Sequence, residues 1–259
     1  MSTTLAAVSR SESYQSPARE TGGVCPLVSI IVVVFCAKEE LRNVIESIIP
    51  HRSQDIEIIV IDGGSADGTV ELLRDYGCHI DYWLSEPDNG IYEAMNKGLQ
   101  AALGDYVLHL NAGDRLRQVP LEVLRKCLDD GIDVASFRVL MDGKNIYVPR
   151  VGIKMRIDNC WHHQGTFYRR SRHLGYDPLY RICGDFEHNQ RLIKARCSVR
   201  LLPEIIAEHQ NNGISMDASA RKEIFQSIRL HFGIAYTAIA FARFQVNDLR
   251  RAIMRFVRG

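Results

Sequence analysis

The chain has 259 residues, of which 46% are hydrophobic and 24% are charged. This composition allows a substantial apolar core and indicates one large folded domain with appendages. Because the formal net charge at pH 7 is only +1, the composition gives no general reason to expect nucleic acid as a partner.

The N-terminal segment differs in composition from the rest of the chain. Its first 23 residues are rich in Ser, Thr and Glu and lack an apolar run of signal-peptide length. Low hydrophobicity of this kind favours disorder. We therefore expect residues 1–25 to form a disordered tail.

The next part of the chain alternates between two patterns. Continuous apolar runs rich in β-branched residues predict strands over 28–35, 56–61, 80–84 and 106–110. Apolar residues at helical spacing predict helices over 39–49, 67–76 and 91–103. Strands without polar alternation are buried on both faces, which is typical of a parallel sheet covered by helices. The fold class is therefore α/β.

The second half is mixed. The pattern predicts helices over 119–129 and 185–195, and helical periodicity from 218 to the end. Short strands are expected over 132–139, 145–148 and 199–202, the first two on either side of a Met-Asp-Gly-Lys turn. We expect one domain over 26–216, with halves 26–114 and 115–216, and a helical extension over 217–259.

The cysteines and the hydropathy of the chain indicate in which cellular compartment the protein is found. Seven cysteines are spread along the chain without a Cys-x-x-Cys pair, which is typical of reduced, mostly buried thiols in a cytosolic protein. The longest apolar-leaning stretch, 232–244, contains Arg243 and is shorter than the roughly 20 apolar residues that span a bilayer. We expect a cytoplasmic protein that does not cross the membrane.

Two carboxylates follow strands of the predicted sheet. The strand over 106–110 ends in Asn111-Ala-Gly-Asp114, and the strand over 56–61 ends in Asp62-Gly-Gly-Ser. Ligands of open α/β sheets bind beyond the carboxyl ends of the strands. Asp114 could therefore help to bind a cation and a phosphate, and Asp62 could bond a nucleobase or ribose. A polar turn or helix cap remains an equally open reading of Asp114, and a turn residue an alternative for Asp62.

Four segments carry a family resemblance. VSIIVVVF, IVIDGGSADGT, SEPDNGIYEAMNKG and LNAGD occur in this order, and together they resemble the nucleotide-sugar-binding half of family 2 glycosyltransferases with the GT-A fold. The resemblance covers 28–114 closely and continues loosely to about 215. Within the family, the chain is most similar to bacterial enzymes that add single sugars during exopolysaccharide assembly, of the colanic acid type.

The resemblance implies a donor site for a UDP- or GDP-sugar. Asp62 matches the acidic residue that reads the nucleobase, and Asp88 lies where the family lines the nucleotide pocket. Asp114 matches the last carboxylate of a DxD-like motif that holds Mn²⁺ or Mg²⁺ on the donor diphosphate. Asn111 stands at the first acidic position of that motif, where its amide oxygen is a weaker ligand for a cation.

The resemblance also implies an acceptor site. Asp185 resembles the general base of inverting enzymes, although Gly184 stands where relatives often have Glu, and Asp185 could simply cap a helix. His163 and Gln164 resemble residues that bind sugar hydroxyls, with Trp161 as a stacking face; structural histidines are an open alternative. His209 precedes a Gly-Ile-Ser segment that closes over the donor phosphates in relatives, so it could help to bind the diphosphate or cation, or be a surface residue.

The C-terminal segment, 247–259, has apolar residues on one helical arc and Arg251, Arg255 and Arg258 on the opposite one. A basic amphipathic helix of this kind can lie on an anionic membrane surface, where a polyprenyl-diphosphate-linked acceptor would be found. Packing of the apolar arc on the domain is the alternative. Because the QxxRW pattern of processive synthases is absent from the sequence, we expect transfer of one sugar.

The expected function is that of an inverting glycosyltransferase in cell-surface polysaccharide biosynthesis, which moves one sugar from a nucleotide-diphosphate sugar to a hydroxyl of a glycan or lipid-linked glycan. Asn111 and Gly184 keep open a catalytically silent nucleotide-sugar-binding subunit. A sugar-phosphate nucleotidyltransferase is a further alternative, but its glycine-rich Arg-Pro-Lys signature does not follow the first strand.

Overall fold

The computed structural model describes residues 11–20, 25–210 and 218–258. The strands of this part of the chain are β1 Glu12–Gln15, β2 Val28–Val34, β3 Ile56–Asp62, β4 Tyr82–Ser85, β5 Tyr106–Asn111, β6 Arg115–Leu116, β7 Val134–Met141, β8 Asn145–Tyr147, β9 Thr166–Arg169 and β10 Val199–His209. The α-helices are α1 Pro17–Glu20, α2 Lys38–Ile48, α3 Thr69–Asp75, α4 Ile91–Ala101, α5 Leu121–Asp129, α6 Gly184–Lys194 and α7 Ala218–Arg258.

All of these strands belong to one sheet, in the order β1-β4-β3-β2-β5-β9-β7-β10-β6, with β8 paired to β7. The four strands β4, β3, β2 and β5 are parallel, which confirms the predicted α/β fold with a mostly parallel first half. Beyond β5 the sheet is mixed, because β9 runs antiparallel to both β5 and β7 while β10 runs parallel to β7.

Helices cover both faces of the parallel half, as its continuous apolar strands require. Ile30 and Val32 of β2 belong to the core under α2 and α3, and Ile31 and Val33 belong to the core under α4. Helix α4 approaches the sheet closely, since a Cβ atom at Gly98 would lie 2.3 Å from the Ile31 side chain. The strand ends next to α4 are therefore held rigidly in place.

The N-terminal segment is more ordered than predicted. The prediction of a disordered tail is wrong for residues 12–20, because β1 pairs antiparallel with the edge strand β4. Arg74 donates to the Glu12 carboxylate at 2.6 Å, and Arg19 forms an ion pair with the buried Glu57 at 3.3 Å. The rest of the predicted tail, 1–10 and 21–24, lies outside the described residues.

Other differences concern the second half. The predicted strand over 199–202 extends to His209, because β10 pairs with β7 along most of its length, with register shifts after Leu201 and Ile205. The two-residue strand β6 and the four-residue strand β9 were not predicted. Of the seven unpaired cysteines, Cys127, Cys160 and Cys183 are buried, so the predicted burial of thiols holds only in part.

The C-terminal helix α7 packs on the domain. It breaks at Gly233, whose φ is 82°, and Arg221 before the break pairs with Asp248 after it at 2.8 Å. Its residues Ile228 and Ala240 share an apolar cluster with Phe186 of α6. Among the described helices, none combines the length and the hydropathy that a membrane crossing requires.

Candidate active site

A cavity of ≈ 430 Å³ lies at the carboxyl ends of the parallel strands, where the topology predicts a ligand. The loops after β2, β3 and β5 and the turn before α4 form its walls. The lining residues are Val33, Val34, Phe35, Ala37, Gly63, Asp88, Gly90, Ile91, Ala94, Asn111 and Ala112. The walls are mostly apolar and offer a single carboxylate, a composition that suits a nucleoside.

Asp62 lies beneath this cavity rather than in its wall. Its side chain is fully buried, and its carboxylate accepts hydrogen bonds from the Ser65 N–H at 3.0 Å and from the Ser85 hydroxyl at 2.6 Å. The base-reading role of Asp62 stays a prediction, and in this arrangement its oxygens bind the loop that follows β3 and the end of β4. Sequence could not show this, since both serines are ordinary turn and strand residues.

Asp88 supplies the carboxylate of the cavity. Its Oδ1 accepts a hydrogen bond from the Gly90 N–H at 2.9 Å, and its Oδ2 lies over Gly63, where a Cβ atom would approach it to 2.7 Å. Burial is the main reason why the pKa of this carboxyl lies above its ordinary value. Asp88 thus lines this cavity, and its contact with a nucleotide stays a prediction.

Asp114 and His209 meet beside this cavity. Asp114 is buried, and its Oδ2 accepts a hydrogen bond from the Asn111 N–H at 2.7 Å. Its Oδ1 lies 2.7 Å from Nδ1 of His209, which β10 carries to this point. The Gly-Ile-Ser segment after His209, 213–215, lies outside the described residues.

These residues can be tested for their fit to a divalent cation. In the ranges that the structure describes, no group of three or more His, Cys, Asp or Glu side chains is placed to hold a metal. However, Oδ1 of Asn111 and Oε1 of Gln164 are buried oxygens without a hydrogen-bond partner, and Gln164 contacts His209 at 3.3 Å. The donor set of Asp114, His209 and these amide oxygens fits a cation whose remaining ligands come from a bound diphosphate.

A second cavity, of ≈ 610 Å³, adjoins the first at Ile91 and Asn111. His162, His163 and Gln164 form one side of it. The other lining residues are Tyr92, Ile157, Asp158, Asn159, Arg181, Ile182, Cys183, Asp185, Phe186, His209, Ile224 and Phe244. Because Ile224 and Phe244 belong to α7, the C-terminal helix forms part of this wall.

Asp185 lies in the first turn of α6, and its side chain is 16% exposed to this cavity. Asn159 Nδ2 donates to its Oδ2 at 2.7 Å, and the Tyr92 hydroxyl lies 3.4 Å from its Oδ1. Burial raises the pKa of this carboxyl, but the hydrogen bond and charge of His163, the charge of His162 and the Phe186 N–H outweigh burial and lower it. Asp185 is therefore ionised at neutral pH.

His163 connects the two cavities. Its Nδ1 lies 3.4 Å from Oδ2 of Asp185, and its Nε2 lies 3.3 Å from Nδ2 of Asn111. If the Asn111 amide donates to Nε2, the Nδ1–H is the group that faces Asp185. The ring thus joins the end of β5 to the first turn of α6.

Trp161 does not contribute the predicted stacking face. Its indole is 1% exposed and donates to the Arg150 carbonyl at 3.1 Å, so it belongs to the core. Its neighbour His162 lines the cavity instead, and burial lowers the pKa of His162 to about 3. The sequence showed the aromatic cluster but not which of its rings turns inwards.

Tyr92 and Asn159 are contacts of Asp185 that were not predicted. Tyr92 belongs to the SEPDNGIYEAMNKG segment, so its place in the first turn of α4 was visible in the sequence, but its partner was not. Asn159 lies in a loop without a regular pattern. Both become recognisable only when α4, α6 and that loop are brought together.

The fold is that of a GT-A glycosyltransferase. The family model "Glycosyl transferase family 2" matches residues 29–194, which is 166 of the 259 residues. The chain belongs to this family.

Curated relatives are also named glycosyltransferases. A "PGL/p-HBAD biosynthesis glycosyltransferase" of Mycobacterium bovis (strain BCG / Pasteur 1173P2) is 26% identical over 252 residues, which cover 90% of this chain and 96% of the relative. An uncharacterized glycosyltransferase of Mycobacterium tuberculosis (strain CDC 1551 / Oshkosh) is 43% identical over 93 residues, 35% of each chain. The match spans about a third of that protein.

Solved structures share the fold at low sequence identity. S. aureus TarS in complex with UDP is 15% identical, with a TM-score of 0.59 over 79% of this chain and 64% of that one. The mannosyltransferase PcManGT of Pyrobaculum calidifontis, in complex with GDP-Man and Mn²⁺, is 16% identical, with a TM-score of 0.59 over 80% of this chain and 63% of that one.

Proposed function

We propose that this protein is an inverting glycosyltransferase that moves one sugar from a nucleotide-diphosphate sugar to a hydroxyl of a glycan or lipid-linked glycan. The observation that carries the proposal is the position of Asp185. Its carboxylate lines a cavity that adjoins the nucleoside-sized cavity at Asn111. A donor sugar bound next to Asn111 would have the donor diphosphate on one side and the carboxylate of Asp185, the proposed general base, on the other.

The chemistry of the transfer is a single displacement. The acceptor oxygen attacks the anomeric carbon from the face opposite the diphosphate, the bond from that carbon to the diphosphate oxygen breaks, and the nucleoside diphosphate leaves. Asp185 takes the proton of the hydroxyl as the new bond forms. Its low pKa is adequate because the hydroxyl becomes acidic only during the attack. Attack from the opposite face inverts the anomeric configuration.

The donor is a UDP- or GDP-sugar. TarS has been solved with UDP-GlcNAc and PcManGT with GDP-Man, which supports the donor class without choosing between the bases. In this chain, Asp88 takes the role of reading the base, since its carboxylate borders the cavity while that of Asp62 is bonded to Ser65 and Ser85.

A divalent cation would be held by Asp114, His209 and the amide oxygens of Asn111 and Gln164. Mn²⁺ accepts this mixture of oxygen and imidazole ligands better than Mg²⁺ does. Such a cation neutralises charge on the departing diphosphate. The Mn²⁺ in the PcManGT complex supports this assignment. His163 binds acceptor or donor hydroxyls from the side of the second cavity, while the Gln164 amide contacts His209 and holds the cation.

The acceptor side faces a membrane surface in this proposal. Residues 218–258 contain eight Lys and Arg against two Asp and Glu, so this segment carries a net charge of +6 while the whole chain carries +1. In the proposed 247–259 contact, the described side chains of Leu249 and Met254 are 62% and 52% exposed. Exposed apolar side chains on a basic segment favour anionic lipid at the cytoplasmic membrane face, and thus a polyprenyl-diphosphate-linked acceptor in cell-surface polysaccharide or exopolysaccharide synthesis.

The membrane contact has a direct test with a matched control. Sedimentation with vesicles of phosphatidylglycerol should retain the protein, and vesicles of phosphatidylcholine should not. Leu249→Glu together with Met254→Glu should abolish the retention, whereas Ile146→Glu, at a 49% exposed site on β8, should leave it unchanged. Equal retention of all three proteins would remove the membrane from the proposal.

The activity is tested by incubation with UDP- and GDP-sugars, Mn²⁺ and short-chain polyprenyl-diphosphate glycans, with release of nucleoside diphosphate as the readout. Transfer from one donor supports the proposal. Binding of nucleotide without turnover for any donor and acceptor would favour the silent subunit, which Asn111 and Gly184 keep as the alternative.

A further inference from the structure

The carboxylate of Asp185 accepts a hydrogen bond from the side-chain amide of Asn159, which takes no part in the proposed sugar transfer. Asn159 Nδ2 donates to Oδ2 of Asp185 at 2.7 Å. The other side chains near this carboxylate, His163 and Tyr92, lie 3.4 Å from it. The Asn159 amide is thus the shortest side-chain hydrogen bond to the carboxylate, and it reaches Asp185 from the wall of the acceptor cavity.

Asn159 is in turn fixed by buried partners. Asn189 Nδ2 donates to Oδ1 of Asn159 at 2.9 Å, and the Tyr168 hydroxyl donates to Oδ1 of Asn189 at 2.9 Å. Tyr147 donates to the Asn159 carbonyl at 2.7 Å. Since the Asn159 amide oxygen already accepts a bond, its nitrogen must face Asp185. The chain of donors therefore runs in one direction, from the Tyr168 phenol to the carboxylate.

We infer that Asn159, oriented by Asn189 and Tyr168, is a positioning residue that holds Oδ2 of Asp185 and leaves Oδ1 as the oxygen that receives the acceptor proton. The inference rests on the proposed function, in which Asp185 is the base. Among the described side chains, the Asn159 amide and His163 contact Oδ2, whereas the Tyr92 hydroxyl contacts Oδ1 at 3.4 Å. A base that is held in one orientation loses less rate to misalignment than one that rotates.

The hydrogen bond also favours the ionised form of the carboxyl, because an N–H donated to a carboxylate stabilises its charge. Removing the amide should therefore raise the pKa of Asp185. The titratable groups that surround it from neighbouring elements are His162, His163, Tyr92, Tyr147, Tyr168, Tyr176 and Cys183. None of them is removed by a substitution at Asn159.

The test compares Asn159→Ala and Asn159→Asp with a control on the same helix as Asn189. Gln190 is buried and bonded to the Arg156 carbonyl and the Ser227 hydroxyl, so Gln190→Ala removes a buried amide of α6 that does not reach Asp185. For each protein, kcat, the donor KM and the pH dependence of kcat/KM are measured, with urea unfolding as a check on folding.

Asn159→Ala should lower kcat about 10- to 100-fold at an unchanged donor KM, and the acid limb of its pH profile should move to higher pH. Asn159→Asp has nearly the shape of the parent, so it should fold, and its second carboxylate should move the limb further. Tyr168→Phe should produce a smaller shift in the same direction. Gln190→Ala should leave the limb where the parent has it.

Two outcomes separate this inference from the proposed function. If the parent transfers sugar and Asp185→Asn does not, but both Asn159 variants keep the parent's pH profile and kcat, the positioning role is wrong and the function stands. If the parent itself transfers no sugar from any donor, the proposed function and this inference both fail.

Discussion

The ring of Tyr92 fills the space that a side chain at Gly184 would need. A Cβ atom at Gly184 would lie 2.8 Å from a carbon of that ring, and the Tyr92 hydroxyl donates to the Ile182 carbonyl at 2.8 Å. The glycine before Asp185 thus has a local structural reason. Tyr92 packs against the first turn of α6 and contacts the carboxylate of Asp185, the proposed base.

Gly184→Ala should therefore destabilise the protein. A methyl group at this position overlaps the Tyr92 ring, and overpacking of a close contact costs about 1–3 kcal/mol. Urea unfolding at pH 7.5 measures the loss. In a Tyr92→Leu background the clash is relieved, so the same substitution should cost less than half as much. An equal cost in both backgrounds would contradict the role assigned to Tyr92.

Substitutions at Asp62 and Asp88 should have different effects, the first on stability and the second on nucleotide binding. Asp62→Ala leaves the Ser85 hydroxyl without its buried acceptor and should lower the free energy of unfolding by about 2 kcal/mol. Asp88→Ala should change stability little and weaken UDP or GDP binding about 10-fold, a typical loss for one hydrogen bond to a charged group. Calorimetric titration with each nucleotide measures this. Weaker binding from Asp62→Ala at full stability would return the base-reading role to Asp62.

The cation site makes a prediction about Mn²⁺. Asp114→Asn removes the one carboxylate of the proposed ligand set, so Mn²⁺ should no longer raise the melting temperature of the protein in the presence of UDP or GDP. His209→Gln should weaken the effect without abolishing it. The nucleotide alone should still stabilise both variants. A parent whose melting temperature does not respond to Mn²⁺ at saturating nucleotide would speak against a metal in this site.

Three histidines behind the site predict a loss of stability in acid. His109 and His188 are fully buried and His173 is partly buried, with ring centroids 5.4 Å apart for His109 and His173 and 4.2 Å for His173 and His188. Nitrogens on each of these rings lack a hydrogen-bond partner. Burial is the main cause that holds their pKa values well below the ordinary value of 6.5.

The direction in which the free energy of unfolding changes with pH follows from the number of protons that each state binds. Below pH 6.5 the unfolded chain binds protons on these rings while the folded chain does not, so stability is complete above pH 6.5 and falls as the pH falls below it. Three such groups give a slope of up to about 4 kcal/mol per pH unit. Urea unfolding between pH 5 and 7.5 should show the loss, and His188→Gln should reduce the slope while His51→Gln, outside the cluster, should not. A flat profile would mean that these rings are protonated in the folded state.

The parallel half of the fold could be predicted because its strands are continuous apolar runs and its helices have apolar residues at regular spacing. Strand β1 could not, since Glu-Ser-Tyr-Gln alternates polar residues at the edge of the sheet and gains its order from β4. The four residues of β9 are likewise too few to show a period, and they become a strand only between β5 and β7.

Part of the site was predictable because its residues lie just after a strand or at the start of a helix that the sequence pattern shows. Asp88, Asp114 and Asp185 all lie at the cavities or beside them. Trp161 did not follow the prediction, because its indole is buried and donates to the Arg150 carbonyl. The bonds of Asp62 to Ser65 and Ser85 also could not be read from sequence spacing. The contacts between distant segments, such as Asn159 with Asp185, depend on the folded chain alone.

The central claim is that Asp185 is the base of an inverting transfer. Once a donor and acceptor are found, Asp185→Asn should lower kcat by at least about 1,000-fold, since it removes the proton acceptor but keeps the shape of the side chain. Its affinity for the nucleotide should stay within about twofold of the parent value, and NMR of the parent's product should show the anomeric configuration opposite to that of the donor. Retained turnover in Asp185→Asn, or a product with the configuration of the donor, would contradict the claim.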